Sequence, residues 1–101
     1  MSKKEIKVLQ TQHFAKCIKK LHANQKRELD AAIKLLIKNT DLGEEKIGDL
    51  QGIRVYKFMM INQLTLLAYS YDDSVLILTL LAIGSHENFY RDLKKKICVN
   101  H

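Results

Sequence analysis

Residues 53–83 read IRVYKFMMINQLTLLAYSYDDSVLILTLLAI, and this stretch decides the fold. Over residues 53–60 the pattern alternates in part. Arg54, Tyr56 and Phe58 fall on one face of an extended segment, with Val55, Lys57 and Met59 on the other. Asn62-Gln63 is a tolerable tight-turn pair, so residues 64–71 are expected to return as the next strand. Asp72-Asp73-Ser74 is a stronger turn signal, because short polar side chains bond to nearby backbone. Residues 75–83 are almost wholly apolar, the mark of a strand covered on both faces, and Gly84 is expected to end it.

Upstream of this meander the period is helical. Phe14, Cys17, Ile18 and Leu21 recur at i, i+3, i+4 and i+7, leaving Lys16, Lys19 and Lys20 outward. His22-Ala23-Asn24 breaks the pattern, with Asn24 the expected N-cap of a second helix. Leu29, Ala32, Ile33, Leu36 and Ile37 form its stripe, which runs to about Lys38 with Asn39 as the stop. The short link predicts an antiparallel helical hairpin. Before it, Ile6, Val8 and Thr11 suggest a short first strand; at the other end, Phe89, Leu93 and Ile97 suggest a short final helix. The order is β-α-α-β-β-β-α. This is an α+β domain with an N-terminal strand, a two-helix hairpin packed on a small, largely antiparallel twisted sheet, and a short C-terminal helix. The sheet face away from the helices is expected to be free to work.

With 101 residues the chain is one domain, able to bury about 65% of its unfolded surface. An apolar fraction of 47% and a charged fraction of 28% argue against disorder. Seventeen Lys and Arg against eleven Asp and Glu give a net charge of +6. The excess sits in residues 1–40, with ten basic and three acidic side chains; residues 41–101 carry seven and eight. Such a balance favours nucleic acid, an acidic protein or an anionic membrane surface.

The opening MSKKEIKVLQ has charges and no apolar core, so no signal peptide is expected. The apolar run 75–83 is far short of the ~20 residues a membrane helix needs. Cys17 and Cys98, the only cysteines, are too sparse for a disulfide scaffold or a zinc site and suit a reducing cytoplasm. Cys17 reads as a small buried hydrophobe. Glycines at 43, 48, 52 and 84 make no phosphate-binding loop, and the four histidines are scattered, so neither cofactor nor metal is expected.

A site on the free sheet face would draw on Arg54, Tyr56, His86 and Tyr90, with Lys57 and Arg91. His86 follows Gly84-Ser85 directly after the most apolar strand and can exchange a proton near neutral pH. Arg54 has the fork to clamp a phosphate, and Tyr90 the ring to stack on an unpaired base. Each has a plainer alternative. His86 is equally a polar turn residue, and Arg54 a surface ion-pair partner of Asp49 or Glu45 worth under ~1 kcal/mol. The tyrosines are equally sheet-packing residues, the helix lysines solvated faces, and Glu44-Glu45 a pair of carboxylates facing water.

The strings HFAKCIKKLHANQKRELDAAIKLLI, GDLQGIRVYKF, LTLLAYSYDD and LAIGSHENFYRDLKK, in that order, resemble the RelE/ParE superfamily of bacterial type II toxin–antitoxin toxins. The likeness covers residues 5–95. It implies a microbial-RNase-like fold, and for many members cleavage of messenger RNA on the ribosome by 2′-hydroxyl attack without a metal. It also implies a cytoplasmic toxin silenced by an acidic antitoxin. By resemblance, Arg54 falls on the basic residue of the second strand, and His86 on the general acid or phosphate clamp after the last strand. Tyr90 falls near the C-terminal aromatic that orients RNA; Tyr56, Lys57 and Arg91 are the accompanying nucleic-acid contacts. The third strand departs from the pattern, offering Thr65, Leu66 and Leu67 where nucleases carry an arginine or acid. The second basic position is occupied by Tyr56, unless a bulge turns Lys57 inward. Against the nuclease stand two readings: a non-enzymatic gyrase poison like the ParE branch, and an inactive nucleic-acid-binding relic.

Overall fold

The computed structural model describes residues 5–46 and 52–85. Strand β1 (Lys7–Gln10) leads into helices α1 (Gln12–Lys19) and α2 (Ala23–Lys38). Strands β2 (Glu44–Glu45), β3 (Arg54–Met60), β4 (Gln63–Asp72) and β5 (Ile77–Ser85) follow. They form one sheet in the order β1-β5-β4-β3-β2. Every pairing is antiparallel except that of β1 with β5. The α+β architecture of two helices on a largely antiparallel sheet is the one expected. The expected final helix lies outside the described residues.

Boundaries differ where side chains act locally. Thr11, expected in the first strand, instead caps α1: its hydroxyl oxygen accepts from the Phe14 N–H at 3.1 Å. The N-cap of α2 is His22, not Asn24, because Gln25 reaches back and accepts from the His22 N–H at 2.8 Å. Asn39 does end α2, donating its N–H to the Leu35 carbonyl at 3.0 Å. Glu44-Glu45 do face water, from a two-residue edge strand on β3. The β3–β4 turn is Ile61-Asn62, both with positive φ (50° and 66°), one residue earlier than Asn62-Gln63. After the Asp72 turn, β5 starts at Ile77 rather than Val75, which is 56% exposed, and Gly84 lies inside the strand.

The helices cover one face of the sheet. Phe14 from α1 and Leu29 and Leu36 from α2 meet Leu67, Tyr69 and Leu78, all at most 5% exposed. Each such side chain contributes roughly 1.5–3 kcal/mol by leaving water. A bulge makes β5 fit. Ala68 pairs with Ala82 but Tyr69 pairs with Leu80, so Leu81 is the extra residue. The insertion turns both Leu80 and Ile83 toward the helix-side core. The carbonyl of Leu81 accepts from the Thr11 hydroxyl at 3.1 Å, fastening the start of α1 to the bulge. Cys17 is half-buried beside this core, its Sγ 3.7 Å from His13 Nε2.

Candidate functional site

Alternation along β3 sorts its side chains into two sets, and packing shows which set faces which way. Tyr56, Phe58 and Met60 pack into the helix-side core, the two rings stacked at 5.7 Å. Arg54, two residues before Tyr56, shares that face. Val55, Lys57 and Met59 therefore face away from the helices, beside Ala68, Leu66 and Leu64 of β4. The expectation that Arg54 and Tyr56 look out from the free face is thus corrected. Two aromatics among three alternating side chains are a core signature, and that was the signal in the sequence.

The far face is not bare at its centre. Ile53, Val55, Leu66, Ala68 and Ala82 form a second buried cluster there, each at most 7% exposed. Lys57 is exposed beside it, in the cross-strand row Lys57–Leu66–Gly84. No bulge is needed to place it there, since the ladder from Arg54 to Met60 is regular. Among the described residues, Lys57 has no carboxylate partner.

Arg54 is fully engaged elsewhere. Its Nη1 donates to the Gly43 carbonyl at 2.7 Å and the Asp41 carbonyl at 3.4 Å. Its Nη2 lies 3.4 Å from the Asp41 carboxylate and 3.7 Å from that of Glu45. The guanidinium thus ties the segment between α2 and β2 to the sheet. The opposing residue Tyr69 secures the same segment: its hydroxyl accepts from the Gly43 N–H at 2.9 Å and donates to the Thr40 carbonyl at 2.6 Å. Burial raises the Tyr69 pKa, with the Gly43 hydrogen bond and the Arg54 charge opposing it.

Arg54 and Lys57 accordingly point to opposite faces and cannot grip one substrate together. His86, Tyr90 and Arg91, with Asp49, lie outside the described residues; His86 follows directly after Ser85, which ends β5 opposite Thr65. The far face of β4 carries Leu64, Leu66 and Ala68, none of which titrates. Among the described residues no group of three His, Cys, Asp or Glu side chains is placed to hold a metal, and no helix is long and apolar enough to cross a membrane.

Comparison with known proteins matches residues 8–94 to the model of the ParE-like toxin of type II bacterial toxin–antitoxin systems. No curated protein matches the sequence. A mutant of E. coli toxin RelE in the free state is similar in fold, with a TM-score of 0.72 at 12% identity, covering 93% of this chain and 95% of that one. The intact E. coli RelBE toxin–antitoxin complex gives 0.66 at 14% identity, over 82% of this chain and 99% of that one. RelBE2 from Mycobacterium tuberculosis gives 0.63 at 19% identity, over 80% and 98%.

Proposed function

The chain belongs to the ParE-like toxin family of type II bacterial toxin–antitoxin systems, and from that membership we propose that it is an endoribonuclease acting on messenger RNA at the translating ribosome. The observation that supports this reading is Lys57. It is an exposed cation without a carboxylate partner among the described residues, on the sheet face opposite the helices. A phosphodiester drawn to that face would meet Lys57 as a counter-charge for the oxygens that gain charge in the transition state.

The rest of the assignment comes from the sequence. His86 exchanges the proton at the leaving oxygen, Tyr90 stacks on a base, and Arg91 holds the strand. The reaction needs no metal. The 2′-hydroxyl gives up its proton to solvent water and bonds to phosphorus as the bond to the 5′ oxygen breaks, and that oxygen takes a proton from His86, leaving a cyclic phosphate and a 5′-hydroxyl. Such a target places its action in the cytoplasm. The partner is an acidic antitoxin, the counterpart for a chain of net charge +6; RelBE and RelBE2 are toxin–antitoxin complexes of similar fold.

One observation favours a second reading. The apolar row Leu64, Leu66, Ala68 supplies no acid or base, as suits a toxin that poisons gyrase by binding alone. Primer extension on a reporter message in a translating extract separates the two. New 5′ ends that vanish in Lys57→Ala and His86→Ala are expected. Growth arrest with intact message and impaired supercoiling would select the gyrase reading.

A further inference from the structure

Among the described residues eight large apolar side chains are exposed, and three of them, Met59, Ile61 and Leu64, fall within the six residues that end β3 and begin β4. Single apolar side chains scattered over a surface are ordinary, whereas a cluster marks a use. The ladder places this one. Met59 pairs directly with Leu64, and both stand on the face that carries Lys57, one row beyond the pair Lys57–Leu66.

Burial stops at the Lys57 row. Along β3 the far face runs from Val55, 2% exposed, through Lys57 to Met59, 57% exposed. Along β4 it runs from Ala68 and Leu66, both fully buried, to Leu64, 39% exposed. An antiparallel strand that faces water ordinarily carries polar side chains at such positions. Opposed side chains have β-carbons about 4.5–5.5 Å apart, so Met59 and Leu64 form one apolar plate. Its centre lies two residues along β3 from Lys57, a rise of about 6.8 Å, which one nucleotide can span. Residues 53–71 contain Arg54 and Lys57 but no Asp or Glu, so no carboxylate among them repels a phosphate.

We propose that Met59 and Leu64 are a base-holding platform: a second nucleobase of the RNA, besides the one assigned to Tyr90, lies flat on these two side chains while the phosphate beside it rests on Lys57. The inference rests on the reading above that the chain cleaves messenger RNA. Charge selects the occupant. A second copy packed on this face would set Lys57 against Lys57 with no acidic side chain in residues 53–71 to relieve it. A single strand of RNA brings both the negative phosphate and a flat apolar ring. Leucine and methionine are side chains that separate stacked bases, and the flexible thioether adapts to a flat partner. The plate offers no strong donor or acceptor, so it reads no base edge. It gains by contact area and therefore favours purines over pyrimidines.

The test maps new 5′ ends on a mixed population of messages in a translating extract. Three purified proteins are compared: wild type, the double variant Met59→Thr with Leu64→Thr, and Met59→Phe. Both positions are exposed, so thermal midpoints should stay close to wild type. Wild type should cut with a purine excess at one position flanking the cut. The double variant should cut at least about tenfold more slowly, the scale of one lost stacked base, and without that excess. Met59→Phe keeps a flat apolar surface and should cut close to the wild-type rate with the excess retained. Wild-type cutting without any base excess overturns the platform and leaves the nuclease standing. So does a double variant that cuts as wild type does, or a folded Met59→Phe that cuts no better than the double variant. A double variant that cuts normally but escapes silencing by the antitoxin gives the plate to a protein partner instead. No ribosome-dependent cutting by wild type overturns nuclease and platform together.

Discussion

The Tyr69 ring lies so close to Gly43 that a β-carbon there would sit 2.7 Å from Tyr69 Cε1. Tyr69 is fully buried and its hydroxyl bonds to both Gly43 and Thr40, so the ring has nowhere to retreat. Gly43→Ala is expected to destabilise the fold by about 1–3 kcal/mol, the scale of overpacking a filled site. Tyr69→Phe should cost a similar amount by leaving the Gly43 N–H and the Thr40 carbonyl unpaired. Thermal unfolding reads both, at roughly 4–8 °C per kcal/mol for a domain of this size. An unchanged midpoint in both variants would remove the latch from the account.

The same hydroxyl predicts an alkaline limit. Burial raises its pKa above the ordinary 10.0, so the folded state holds the proton more tightly than the unfolded chain. Its contribution is complete below the unfolded pKa and is lost as pH rises through the folded one. Denaturant midpoints should therefore fall above about pH 10, and Tyr69→Phe should flatten that part of the fall. An identical alkaline decline in wild type and variant would assign the decline to other groups.

Arg54 and Lys57 make a pair of opposite expectations. Arg54 bonds to the Gly43 carbonyl at 2.7 Å, a charge-assisted contact; its pairs with the exposed Asp41 and Glu45 add little. Arg54→Ala should lower stability by about 1–3 kcal/mol and reduce toxicity only through that loss. Lys57→Ala, at an exposed position, should leave stability within about 0.5 kcal/mol and abolish growth arrest. Paired measurements of melting and growth decide it. A stable, inactive Arg54→Ala together with a toxic Lys57→Ala would invert the assignment of the two faces.

That pair also marks how far the sequence could be read. The helices were legible because each buries one stripe: Phe14 in α1, Leu29 and Leu36 in α2, and Asn39 ends the second. The faces of β3 were not, because both sides of the sheet bury apolar side chains: Val55 at 2% on one, Met60 at 4% on the other. Alternation alone then gives two sets without saying which meets the helices, and only the rings of Tyr56 and Phe58 point to one of them. What holds Arg54 is the irregular segment between α2 and β2, chiefly the Gly43 carbonyl and Asp41, which carries no period to read. Thr11 is β-branched and suits a strand, yet its hydroxyl serves as a cap and meets Leu81, 70 positions away. Such a contact is invisible to any local window.

The β3–β4 turn carries the last prediction. Ile61 has φ 50° and Asn62 φ 66°, as a type I′ turn requires, but a β-branched side chain suits that region poorly. The strain is on the order of 1–3 kcal/mol, and Ile61 recovers little by burial since it is 43% exposed. Ile61→Asn should therefore stabilise the protein by about 1 kcal/mol, because asparagine tolerates this backbone. A lower melting temperature would show that the apolar contacts of Ile61 outweigh the strain. The turn closes the hairpin beside Met59 and Leu64, 57% and 39% exposed on the Lys57 face. Growth arrest measured on the same variant links strain to use. A stabilised variant that no longer arrests growth would place the turn in contact with the target, whereas full toxicity would leave the strain a purely structural cost.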